Sequence, residues 1–259
     1  MANRVFLMGD IHGKFQPIRD FVLREKTRIN FDGTDTMVLL GDAGLNYFFD
    51  YRDEKLKEKL GKFPFTYFLI RGNHEERPSN CMKKNPDEWH MEAMFGGQVY
   101  VENKYPHIKY ALDEPSVYNI AGLSTLVLPG AYSVDKQYRL QNGWSWFPDE
   151  QMTCPEMALG ARIVEHYKEF DLVLSHTCPC IFEPTDLFLS FIDQSQVDKS
   201  TERYLGNIEF ILDYKLWCWG HYHAFRDYPR TDGRKKIMLF NTSAIDLLDI
   251  FNNDEVKEL

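Results

Sequence analysis

The residues of this chain whose types and spacing could do chemistry are Asp10, His12, Asp42, Asn73, His74, His176, His221 and His223. Carboxylates, an amide oxygen and imidazoles are ligands that divalent metals of borderline hardness accept together. Asp10 and His12 are two residues apart, so in extended backbone they project to one side. His221 and His223 repeat that arrangement. Asn73 and His74 both read at first as neighbouring ligands, and seven ligands of this kind are more than one ion needs. Two ions about 3.5–4 Å apart, sharing one carboxylate and one water, would use them all. The remaining histidines, His90, His107 and His166, lie outside these stretches and are given no role.

The elements that must position these residues are short apolar runs. Val5-Phe6-Leu7-Met8 precedes Gly9-Asp10, Thr36 to Leu40 precedes Gly41-Asp42, and Phe65 to Ile70 precedes Arg71-Gly72-Asn73-His74-Glu75. Each reads as a buried strand ending in a polar loop. Between them, Phe15 to Ile29 has the apolar spacing of an amphipathic helix, and Asp50 to Leu60 reads as a charged surface helix. The β-α-β-α-β order implies a parallel sheet with right-handed crossovers, which places the three loops side by side at one edge. Later in the chain, Asp171 to Leu174 leads to Ser175-His176 and Leu216 to Trp219 leads to Gly220-His221-Tyr222-His223. Cys154 to Phe170 and Thr201 to Leu212 read as helices, as does Pro86 to Phe95. The β-like runs between Val99 and Leu128 suggest a second, partly antiparallel sheet, and Lys236 to Ile245 supplies closing strands. The tail from Asn252 is charged and reads as frayed.

Composition bounds what such a site could serve. The chain has 259 residues, 44% of them hydrophobic and 15% aromatic, which suits a globular α/β domain. Its net charge of −9, without a lysine- or arginine-rich run, argues against non-specific duplex binding, which needs phosphate neutralisation. An odd count of five cysteines in a chain of this size argues against a disulfide framework and for reduced thiols in a cytoplasmic protein. The apolar run at Val5 is too short for a signal segment, and no run approaches the length of a membrane span.

Five segments carry a resemblance to the calcineurin-like metallophosphoesterase superfamily. They are Gly9-Asp10-Ile11-His12-Gly13, Gly41-Asp42, Gly72-Asn73-His74-Glu75, the lone His176, and Gly220-His221-Tyr222-His223, in the family's order across most of the chain. The resemblance implies an α/β fold, a four-layer α/β/β/α sandwich of two mixed β-sheets flanked by helices. It implies one metallophosphoesterase domain over 1–259, with loop or cap insertions around 129–150 and 183–199. It implies two divalent ions, manganese, iron, zinc or a mixture. Asp10, His12 and His223 would hold the first, Asn73, His176 and His221 the second, and Asp42 would bridge them. The implied reaction is hydrolysis of a phosphate mono- or diester, small or nucleotide-like, by a hydroxide bridging the ions, with His74 as general acid.

The chain also departs from part of that superfamily. Its second motif reads Gly41-Asp42-Ala43-Gly44-Leu45-Asn46-Tyr47. Leu45 stands where the phosphoprotein-phosphatase branch has an acidic partner for its histidine, and Asn46 where that branch has a phosphate-binding arginine. A replacement phosphate clamp is therefore expected, from Arg71 or from Lys136 and Arg139. Tyr132, Trp144 and Trp146 are aromatics that could stack a base. The competing readings are a protein phosphatase, a nuclease, and a non-catalytic binding module on the same scaffold. A segment such as 183–199, mixing apolar residues with acids, could lean over the site. The oligomeric state is open.

Overall fold

Alternation of side chains along the strands builds the molecule. The computed structural model describes residues 4–242 and 244–253. The first sheet contains β1 (Val5–Met8), β2 (Thr36–Leu39) and β3 (Thr66–Leu69), all parallel. Helices α1 (Gln16–Glu25) and α2 (Tyr51–Leu60) connect them. Along β1, Val5 and Leu7 point one way while Phe6 and Met8 point the other, a period of two that β2 and β3 repeat. Phe6, Met8, Met37, Leu39, Tyr67 and Leu69 pack against Ile18 and Phe21 of α1, Leu60 of α2 and Cys81 of α3 (Pro78–Lys84). Both strand faces are covered, which is why these runs are continuously apolar.

The same sheet continues through β4 (Trp89–Met94), β5 (Gly97–Glu102) and β6 (Ile108–Tyr110), in the order β4-β5-β6-β3-β2-β1. Two expectations are corrected here. Pro86 to Phe95 is not helical, despite its helix-favouring Met, Glu and Ala residues. Met94 pairs with Gly97 across a two-residue turn at Phe95 and Gly96, both with positive φ (53° and 76°). That is the geometry of a tight two-residue hairpin, which needs positive φ at both central residues and has a glycine at the second, Gly96. Second, β5 and β6 belong to the first sheet, because β6 runs parallel beside β3 with Tyr67 opposite Ile108. Local alternation identifies a strand but not its partner.

The second sheet holds β7 (Ser116–Ile120), β8 (Leu123–Leu128), β9 (Glu169–Ser175), β10 (Asp213–Trp219), β11 (Arg226–Asp227) and β12 (Lys235–Met238). β8, β9, β10 and β12 are parallel, with β7 and β11 antiparallel at the edges. A short β13 (Ile245–Asp246) returns to the first sheet antiparallel to β1 and leads into α7 (Leu247–Asn252). Leu172, Leu174, Leu216, Cys218 and Ile237 face Val5, Leu7, Val38 and Phe68 in one buried layer between the sheets. On the outer face, Val173, Trp217, Trp219 and Met238 pack against Val164 of α5 (Cys154–Tyr167) and Leu205 and Ile208 of α6 (Ser200–Ile211). The result is an α/β/β/α sandwich of two mixed sheets.

The segment expected to be a loop or cap insertion around 129–150 contains a short helix, α4 (Lys136–Gln141). Helix α5 starts with a capping box in which Thr153 and Glu156 satisfy each other's backbone amides. Of the tail expected to fray from Asn252, Asn252 itself ends α7, and residues 254–259 lie outside the described residues. Among the described residues, no helix is long and apolar enough to cross a membrane.

Candidate metal centre

The loops after β1, β2 and β3 meet those after β8, β9 and β10 at one end of the sandwich. Hydrogen bonds join the sheets there. His176, after β9, donates from Nδ1 to the Leu40 carbonyl at 2.7 Å, and Gly9 donates its amide to the Phe240 carbonyl at 3.2 Å.

The two aspartates are held in the same way from opposite sheets. Asp42 Oδ1 accepts the amides of Asn73 and His74, each at 2.9 Å. Asp10 Oδ1 accepts the amide of His221 at 2.8 Å. The residue before each donor segment is a glycine that has no room for a side chain. A Cβ at Gly72 would lie 2.1 Å from Asp42 Oδ1, and one at Gly220 would lie 2.2 Å from Asp10 Oδ1. With Oδ1 anchored, each carboxylate turns Oδ2 toward imidazoles. Asp42 Oδ2 is 3.8 Å from Nε2 of both His12 and His74. Asp10 Oδ2 is 3.5 Å from His223 Nε2 and 4.0 Å from His12 Nε2, yet it accepts no hydrogen bond although wholly buried. His12, Asp42, His221 and His223 all adopt positive φ between 46° and 70°, a conformation that bulky side chains rarely take and that concentrates at functional sites.

The hydrogen-bond directions around Asn73 fix what this cluster offers. The Leu40 carbonyl only accepts, so His176 carries a proton on Nδ1, and the tautomer with that proton alone presents a lone pair at Nε2. Ser133 donates from Oγ to Glu150 Oε2 at 2.6 Å, so Ser133 accepts from Asn73 Nδ2 at 2.9 Å. Asn73 Oδ1 therefore faces His176 Nε2 at 2.9 Å. Two acceptors face each other, with Asp42 Oδ1 3.6 Å and His221 Nδ1 3.3 Å from His176 Nε2. Converging lone pairs with so few protons between them suit a cation.

Electrostatics point the same way. Burial alone would raise the Asp42 carboxyl, but the imidazoles of His74, His176 and His12 outweigh it and hold the group well below the carboxylate range. Asp10 is also lowered, because His176 and His223 outweigh burial. Burial and the neighbouring His176 push His221 down to about 3, against the pull of Asp10. The cluster at neutral pH is thus two buried carboxylates amid imidazoles. Three groups, Asp10 with His12 and His223, His12 with Asp42 and His74, and Asp10 with Asp42 and His176, each bring donor atoms within 4.8 Å of one another. His74 lies within the second of these groups, so distance alone permits it either role.

A family model described as calcineurin-like phosphoesterase matches residues 3–225. The chain belongs to that family. Among solved structures, TT1561 of Thermus thermophilus is 12% identical, with 96% of each chain covered and a TM-score of 0.54, so the likeness is one of fold. Phosphopantetheinyl hydrolase from Mycobacterium tuberculosis is 13% identical, with 93% of this chain and 90% of that one covered and a TM-score of 0.48. No curated protein matches the sequence significantly.

This phosphoesterase has a cleft of about 300 Å³ opening on the cluster, lined in part by Asp42, Asn73, His74, Tyr132, His221 and His223. Of the residues expected to contact substrate, Tyr132 lines it. Lys136 instead lies 4.0 Å over the Trp146 ring, and Trp144 packs edge-on against Tyr138. Arg71 does not reach the cleft: it is 2% exposed and donates to the Glu150 carbonyl. That bond ties the 129–150 segment to the loop after β3. Arg139, also 2% exposed, is held by Asp135 at 2.9 Å and by the Ser145 carbonyl at 3.1 Å, and it places Nη2 against the imidazole of His74. Leu45 and Asn46 are both buried, so neither replaces an acidic partner or a clamp at the cleft.

Sequence reasoning missed Ser133 and Glu150, which orient the Asn73 amide from 60 and 77 positions downstream of it. It also missed the chain Glu202–Thr177–Tyr222, in which Thr177 donates to Glu202 at 2.9 Å beside the two histidine loops.

Proposed function

We propose that this phosphoesterase is a dinuclear, metal-dependent hydrolase of small phosphate mono- or diesters. The observation that supports it most is the convergence of acceptors on one point, with Asn73 Oδ1 turned toward His176 Nε2 by Ser133 and Glu150. Asp10, His12 and His223 would hold one ion, Asn73, His176 and His221 the other, and Asp42 both. When bound, the ions, manganese, iron or zinc, supply Lewis acidity toward the phosphoryl oxygens and a water acidic enough to ionise at neutral pH.

The chain's own residues do the rest. The backbone amides of Asn73, His74 and His221 fix the two carboxylates so that no reorganisation is needed on substrate binding. His74 is positioned to hand a proton to the leaving oxygen. Burial, Arg139 and His12 push it down to about 4 against the pull of Asp42, so it is neutral in the free protein at pH 7. The charge of a phosphate group bound beside it favours the protonated ring and would raise that value. Arg139 serves substrate through His74, and Tyr132 closes one side of the cleft. The chain's acidic charge and the absence of disulfides among its five cysteines suit a cytoplasmic enzyme without affinity for duplex nucleic acid.

The test is hydrolysis of p-nitrophenyl phosphate and of bis-p-nitrophenyl phosphate by the purified protein, with metal content measured on the same sample. Activity with about two equivalents of metal, both lost in Asp42→Asn, is expected. A protein that holds two metals and cleaves neither ester is a binding module.

A further inference from the structure

The cleft does not end at the metal-ligand cluster. Its far wall is built by Val134, Leu187, Phe188, Leu189, Ile192 and Val197, five of them from the 183–199 segment. That wall is joined to the site itself. The Phe188 ring stacks on Tyr222 at 6.4 Å and 23°, and Tyr222 sits between His221 and His223. Leu187 and Leu189 are 41% and 51% exposed, apolar surface left in water that a ligand in the cleft would cover. Charge at this wall is already spent. Among the described residues lining the cleft, the only lysine or arginine is Lys199, which donates to both carboxylate oxygens of Glu183 at 2.9 and 3.0 Å and lies 4.6 Å over the Phe188 ring. Asp135 is committed to Arg139, and Glu202 adds a further acid to the lining. With those charges paired, nothing there would neutralise a second phosphate. The volume is at the small end of ligand sites, which run from ~300 to 1,000 Å³.

We infer that the organic group of the substrate is apolar and carries no further phosphate: an alkyl or aryl phosphoester, with its chain laid along Phe188, Leu189 and Ile192. This rests on the phosphoesterase reading and adds the substrate class. It places nucleoside polyphosphates and polynucleotides outside the specificity of the site, and it gives the 183–199 segment the role of selecting the chain.

Two series test it on the full, metal-loaded protein. The first is turnover of methyl, butyl and hexyl phosphates and of the matching alkyl p-nitrophenyl diesters. The second is calorimetric binding of methylphosphonate and hexylphosphonate, which are not hydrolysed. The expected result is a rise in kcat/KM, and in phosphonate affinity, of up to about fourfold per added methylene. Phe188→Ala should flatten that rise. Leu189→Ser, at a half-exposed position where folding is not at stake, should lower the hexyl-to-methyl ratio severalfold. A rate and an affinity indifferent to chain length overturn the inference. So does faster turnover of ATP or of a single-stranded oligonucleotide than of the hexyl esters. Tighter binding of hexylphosphonate without hydrolysis of any ester keeps the apolar pocket and removes the phosphoesterase reading. Loss of both effects removes both.

Discussion

Arg139 holds its guanidinium against the imidazole of His74, 65 residues away in sequence. In a chain with Leu45 buried where an acidic partner would stand, this cation is what His74 meets instead. Asp135 fixes the guanidinium with both oxygens, and Tyr47 lies 5.8 Å below it. Arg139→Gln should therefore leave the metals in place and lower turnover by tenfold or more, because a small misplacement of a reacting group is costly. It should also move the pH dependence of kcat upward, since Arg139 disfavours the protonated ring. An unchanged pH profile with lowered activity would reduce Arg139 to a structural part of α4.

His74 lies as close to Asp42 as His12 does, so its role is separable only by substitution. His74→Asn keeps a polar group in the same space. If His74 is the proton donor, the variant retains both metals by elemental analysis and loses about 10²–10⁴ in kcat on esters with poor leaving groups. Esters of p-nitrophenol, whose leaving group needs no proton, should suffer much less. Loss of one metal equivalent in this variant would make His74 a ligand.

Asp42 takes part in two of the three candidate metal groups and is anchored by two amides. Without a cation, two buried carboxylates and several imidazoles share one small volume. Metal binding to the folded state alone stabilises it by about 2.7 kcal/mol at a hundred times Kd, or roughly 5–10 °C in Tm for a domain of this size. Chelation should lower Tm by that order, and manganese or zinc should restore it. Asp42→Asn should abolish the metal-dependent rise. A Tm indifferent to chelator and to added metal would argue against a metal centre.

The five converging loops were legible because each is a local signal: an apolar run, a turn and a side chain of metal-ligating type within a few residues. The parallel order of β1, β2 and β3 followed from the helices between them. What stayed hidden depends on partners far apart in sequence. The run from Trp89 to Met94 favours helix locally, and only its pairing with β5 makes it a strand. β6 looks the same from sequence whichever sheet receives it. The positive φ values at His12, Asp42, His221 and His223 are imposed by the packed turns; aspartate and histidine enter that region more readily than most residues, but their type does not fix it. Ser133, Glu150 and Arg139 reach the site from a segment whose path over the sheet ends no local pattern encodes. Arg71 was misleading in the opposite sense, since its place beside Gly72 suggests a clamp while its side chain runs inward to Glu150.

Glu202 makes a pH-dependent contribution to stability that is separable from the metal-ligand cluster. It is 4% exposed, Oε1 accepts from Thr177, and Oε2 has no partner. Burial raises its pKa to about 7 from the usual 4.5. The folded state then holds this proton more tightly than the unfolded chain. Its contribution to stability is complete below pH 4.5 and is lost as pH rises through 7. The loss is at most about 3.5 kcal/mol, at ~1.4 kcal/mol for each pH unit separating the folded and unfolded values. Glu202→Gln replaces the acid with a neutral group of equal size and removes that contribution. Urea unfolding at pH 5 and at pH 8 should show wild type losing more stability over the interval than Glu202→Gln does. Equal losses would mean that Glu202 is already ionised in the folded protein at pH 5, with a donor on Oε2.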